Sequence, residues 1–196
     1  MVSQLFIGLG VFYRTRARAH AYGETSKRFV FSLFFFALPA ILFAAGKDEL
    51  FTLLNHESDA KMRISYLARL TAAHVNATDV TKIEPFLQDS DARVRAQAVV
   101  TLGAIGGKHV VEDLTKILSG DSDAGVRIAA AFWLGSLKDP SAVSALDHAL
   151  AHDTEANVRA QSAQALKQIG TAGARSALGR GKSDKDKRVK RLANEP

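Results

Sequence analysis

The chain has 196 residues, 47% apolar and 23% charged, which is the make-up of about one folded domain and excludes a disordered chain. Cysteine is absent, so disulfides, thiolate metal sites, a cysteine nucleophile and a lipid-bearing cysteine are all excluded. The net charge of +6 would suit a nucleic-acid binder, but it sits at the ends: residues 46–179 hold 14 basic and 16 acidic groups. A folded middle without a broad positive field argues against nucleic acid as the partner.

Residues 1–28 read as a basic leader closed by Lys27 and Arg28, or as a misassigned start. From Phe29 to Gly46 no residue is charged. A basic flank, an apolar run at 29–45 and small residues at Ala44 and Ala45 read as a secretory signal cut near Ala44. The alternative is a retained anchor, since such a run would span roughly 27 Å as a helix. Both readings export everything after it, to a bacterial periplasm or to an inner-membrane anchor with the folded part outside the cytoplasm. A buried helix packed on the domain is the plainer alternative.

Past residue 46 the sequence repeats. Asp59, Asp91, Asp123 and Glu155 stand 32 apart, each followed by alanine. Arg63, Arg95, Arg127 and Arg159 keep the same interval, as do Leu70, Leu102, Leu134 and Leu166. Each copy reads as two helices. In the second copy Val94, Ala98, Leu102 and Ile105 form one helical stripe, and Val111, Leu114 and Leu118 the next. The leading acid caps the first helix, and Gly103, Gly106 and Gly107 weaken and end it. Pro140 opens the second helix of the third copy, and Pro85 is expected to bend that of the first. A leading half-copy, Leu50, Leu53 and Leu54, fits a lone second helix. No hairpin can bury its stripe alone, so stacking must build a continuous core. The repeat domain is expected over 46–179, with 180–196 as a frayed cap or a basic tail carrying a remnant of a fifth copy.

Copies such as DSDARVRAQAVVTLGAIG and DTEANVRAQSAQALKQIG resemble HEAT-like repeats of the bilin-lyase type. The resemblance implies an all-α, right-handed α-solenoid of about four two-helix repeats, with the second helices on the concave side. It also implies a structural ladder of the recurring acids and arginines (Asp59, Arg63, Asp91, Arg95, Asp123, Arg127, Glu155 and Arg159) between neighbouring copies. It does not single out a function, since such repeats occur in scaffolds, adaptors, lyases, hydroxylases and DNA glycosylases.

An enzyme on this scaffold should break the repeat at one place with converging polar groups. His148 and His152 are four apart, but no third ligand is evident and His152 is expected in a turn, so they read as solvent-exposed histidines. No catalytic, cofactor or metal residue is assigned. The contact candidates are Trp133 and Phe132, whose register partners are small or polar, and the presumed groove residues Glu84, Glu112, Asp113, Lys116, Asp147 and His148. For Trp133 the structural alternative is that it plugs a gap beside Ala130 and Ala131. The expected function is a non-catalytic protein or peptide scaffold of the cell envelope. The alternatives are an anionic-surface or nucleic-acid binder using the tail, and a HEAT-repeat lyase-type enzyme.

Overall fold

A computed structural model describes residues 46–194, with the exception of His74. The expected leader at 1–28 and signal or anchor at 29–45 lie outside the described residues. All regular structure among the described residues is helical. The leading half-copy is α1 (Lys47–His56). The first full copy is α2 (Ala60–Ala72) followed by the short α3 (Val80–Ile83). The second is α4 (Ala92–Ile105) and α5 (Lys108–Gly120), the third α6 (Ala124–Leu137) and α7 (Val143–His152). The fourth is α8 (Ala156–Ile169) and α9 (Ala172–Leu178), and α10 (Lys187–Asn194) closes the described chain.

The first helices α2, α4, α6, α8 and α10 pack side by side in chain order, and α5, α7 and α9 do the same in a second layer. The common core between them is the 32-residue stripe. Leu70, Leu102, Leu134 and Leu166 are each 0% exposed. At about 1.5–3 kcal/mol for each fully buried leucine, this row is a main source of stability, and none of it is available to an isolated hairpin.

Local chemistry sets the boundaries. Asp59, Asp91 and Asp123 cap α2, α4 and α6, each carboxylate accepting from a backbone N–H in the first turn. Glu155 stands in the same place before α8 but makes no side-chain cap. At the other end, Gly106 (φ 73°), Lys138 (φ 54°) and Gly170 (φ 66°) occupy one register position in the positive-φ region. Pro85 does more than bend its helix. The α-helix stops at Ile83 and the chain continues as a 3₁₀ segment over Glu84–Gln88, because proline supplies no amide to the helical ladder.

Of the two readings for residues beyond 179, packing favours the cap. A 3₁₀ segment over Gly179–Ser183 joins α9 to α10, and α10 packs on α8 with Val189 fully buried and Ala193 nearly so. Its basic residues therefore stand on the outer side of a packed helix, the first helix of a fifth copy. Such a terminal unit covers the apolar flank of the last full repeat.

Candidate functional site

The recurring arginines pair with acids other than those expected. Asp59, Asp91 and Asp123 are occupied as helix caps, and each arginine reaches instead to an aspartate about 26 residues downstream, in the turn that ends the next second helix. Arg95 donates from Nε and Nη2 to Asp121 at 2.8 Å each. Arg127 does the same to Asp153 at 2.8 and 3.0 Å, and Arg159 to Asp184 at 2.7 and 3.1 Å. In the first copy Arg63 Nη2 donates to Asp89 at 3.0 Å. The remaining Nη1 of each arginine donates to the carbonyls five and six residues before it, as Arg127 does to Asp121 and Ser122. Each guanidinium thus fastens two consecutive turns along one edge of the stack.

These pairs are charge-assisted and bidentate, and they are largely shielded from water. Burial alone would raise the carboxyls of Asp121 and Asp153. The hydrogen bonds from Arg95 and Arg127, and from the backbone of Asp123 and Glu155, outweigh it and hold both below the usual carboxylate range. The Arg159 guanidinium does the same for Asp184. The second acid series was visible in the sequence as the first residue of D-S-D at 89 and 121, D-T-E at 153 and D-K-D at 184. Periodicity alone could not say which acid of each pair caps and which bridges.

Between the first helices, the facing residues are matched in size. Thr71 and Thr101 hydroxyls lie 2.9 Å apart across α2 and α4. One step on, the Trp133 indole of α6 lies over Gly103 of α4, where a Cβ would come within 2.2 Å of Trp133 Cδ2. One step further, Gly135 faces Ala165. Trp133 is therefore packed against the preceding copy, and Phe132, 46% exposed, stands edge-on to it at 5.5 Å between ring centres.

Two of the acids among the presumed groove residues are held in ion pairs. Asp113 takes Lys116 Nζ at 3.1 Å on α5, and Asp147 of α7 lies 2.7 Å from Arg180 Nε. Glu84 lies in the 3₁₀ segment after α3, while Glu112 and His148 are exposed. Register position 84, 116, 148, 180 thus reads Glu, Lys, His, Arg.

The third copy breaks this rhythm. Helix α7 runs through His152, so His152 is helical and not in a turn. His148 and His152 face each other one helical turn apart, with ring centres 4.8 Å apart and ring planes 49° apart. Both line a hollow of about 290 Å³, together with Leu118, Asp121, Arg127 and Asp153. A second hollow of about 420 Å³, lined by Arg159, Asp184 and Lys185, shares His152 and Asp153 with it. No other copy places two imidazoles here: the corresponding pairs are Glu84 with Gln88, Lys116 with Gly120 and Arg180 with Asp184.

Comparisons with known proteins agree with this architecture. A family model for HEAT repeats matches residues 111–195, and one for the PBS lyase HEAT-like repeat matches residues 94–120. No curated protein sequence matches the chain. Among solved structures, the chain is similar to the complex of CpcE and CpcF of phycocyanin lyase from Nostoc sp. PCC7120. The TM-score is 0.60 at 19% identity, over 75% of this chain and 95% of that one. At that identity the likeness establishes the fold.

Two expectations from the sequence are corrected. The expectation of a non-catalytic scaffold, and with it of no enzyme, rested on the absence of a recognisable motif; the match of residues 94–120 to the PBS lyase HEAT-like repeat and the likeness to a phycocyanin lyase complex stand against it. Export to the envelope is withdrawn on the same likeness. No helix among the described residues is long and apolar enough to cross a membrane.

Proposed function

The chain carries HEAT-like repeats of the bilin-lyase type, and on that premise we propose that it is a lyase-type protein acting on a pigment-bearing protein in company with a second protein subunit. The observation that carries the reading is the likeness to the phycocyanin lyase complex, which extends over nearly the whole of that chain. The substrate is engaged at the hollow beside His148 and His152, the place where titratable side chains interrupt the repeat. The stack is a right-handed superhelix whose second helices, α7 among them, line the concave side and present this hollow to a protein surface. The packed cap at 184–194 is part of the same array.

In this arrangement the arginine ladder holds the turns around the hollow rigid, so that the two imidazoles keep their positions on α7. An imidazole nitrogen within hydrogen-bond reach of a substrate can accept or donate a proton, the task a lyase requires at the bond it breaks or forms. The test is pigment attachment. The chain is mixed with a phycocyanin apoprotein and free bilin, alone and with each Nostoc subunit in turn, and covalently bound pigment is followed by absorption and by fluorescence after denaturing electrophoresis. Pigment attachment or removal above the background without the chain is expected in at least one mixture, with a loss of tenfold or more for His148→Ala or His152→Ala. Equal pigment with and without the chain in every mixture refutes the proposal.

A further inference from the structure

We infer that His148 and His152 form a binding site for a borderline divalent transition-metal ion such as Zn²⁺, a site that does not depend on the lyase reading. Imidazole nitrogen suits zinc, copper and nickel, and residues four apart on a helix lie on one face within reach of a common ion. The sequence alone left open whether α7 lasted long enough. The structure carries the helix through His152 and sets the two rings against each other.

The ring separation fits chelation. A metal held at roughly 2.1 Å from one nitrogen of each ring lies roughly 3.2 Å from each ring centre. Centres 4.8 Å apart then subtend about 100° at the metal, between the ~90° of octahedral and the ~109° of tetrahedral sites. Both side chains are exposed and open onto the hollow, so an ion reaches them without unfolding the helix.

The remaining coordination positions are not filled by neighbouring carboxylates. Asp121 and Asp153 line the same hollow, but both oxygens of each are engaged by Arg95 and Arg127 and by the following backbone amides. Among the described residues no group of three or more metal-ligating side chains occurs. The site therefore leaves positions for water or for a donor carried by a bound molecule, the open form of site that activates rather than merely braces.

The experiment is a calorimetric titration of the tag-free full chain with ZnCl₂. One ion per chain is expected, with affinity reduced tenfold or more by either His148→Ala or His152→Ala. His109→Ala, an exposed histidine on α5 outside the hollow, is expected to leave it unchanged. Circular dichroism checks that the variants keep their helix content. A second measurement needs no variant: Zn²⁺ should protect His148 and His152 of the native chain, but not His109, from acylation by diethylpyrocarbonate read by mass spectrometry. Zinc binding that survives the double substitution, no one-to-one binding, or equal acylation of all three histidines with and without Zn²⁺ overturns the inference. Pigment chemistry without zinc binding would leave the lyase proposal standing and sink this one; zinc binding without pigment chemistry would do the reverse.

Discussion

Replacing Gly103 by alanine tests whether the stack is held by matched surfaces or only by apolar burial. In a helix interior the change alone should stabilise by about 1 kcal/mol. Here the added methyl would lie 2.2 and 2.3 Å from Trp133 Cδ2 and Cγ, where carbon atoms prefer about 3.5–4 Å. The indole must move by more than an ångström, and overpacking of this kind costs about 1–3 kcal/mol. The net expectation is destabilisation of up to roughly 2 kcal/mol, or a fall of up to about 8 °C in Tm for a domain of this size. In a Trp133→Ala background the ring is gone, and the same Gly103→Ala change should stabilise. Gly173 of α9, where nothing lies within 4 Å of a new Cβ, serves as the control and should gain about 0.4–1 kcal/mol as alanine. Urea unfolding followed by circular dichroism gives all these values as a double-mutant cycle. If Gly103→Ala has the same effect with and without the indole, the packing argument is wrong.

Asp121→Ala strips the partner from the shielded Arg95 and should lower stability by about 2–4 kcal/mol in the same assay; replacing Arg95 and Asp121 together by methionine and leucine should recover most of it. Because Asp121, Asp153 and Asp184 are held below the ordinary carboxylate range, the unfolded chain binds more protons than the folded one between the two pKa values. Stability should be fully present above about pH 5 and fall as the pH drops below about 4 through the folded values, with a shallower fall in Asp121→Asn. Urea midpoints measured from pH 7 down to pH 3 check this. Val189→Asp buries an unpaired carboxylate between α10 and α8 and should cost about 2–4 kcal/mol, with proteolysis then beginning in the last repeat. Lys138→Gly relieves a positive φ (54°) that the equivalent positions leave to glycine, and should raise stability by about 0.5–1 kcal/mol in the same unfolding experiment.

The rhythm of the chain was legible because it is local. Asp59, Asp91 and Asp123 before each apolar stripe, and Gly106 and Gly170 after it, mark helix ends through hydrogen bonds that reach only two to four residues. The leucines at 70, 102, 134 and 166 mark the shared interior because a hairpin with one apolar side has only its neighbour to cover it. The site was less legible. His148 and His152 could be read as a spaced pair, but their value as a pair depends on where α7 ends and on the turns around them. The expectation of a scaffold rested on the absence of a contiguous motif, and one repeat fold can host many functions.

By itself the sequence determined the helices, their pairing and their stacking in chain order. Only the tertiary structure decided which acid each arginine takes, why a tryptophan stands at 133, and that the helix 187–194 packs on α8. The reason is distance along the chain. Arg95 to Asp121 and Gly103 to Trp133 join residues 26 and 30 apart, so their pairing follows from how closely and at what offset one hairpin settles on the next. That offset comes from the fit of side chains between copies, and a repeat length does not contain it.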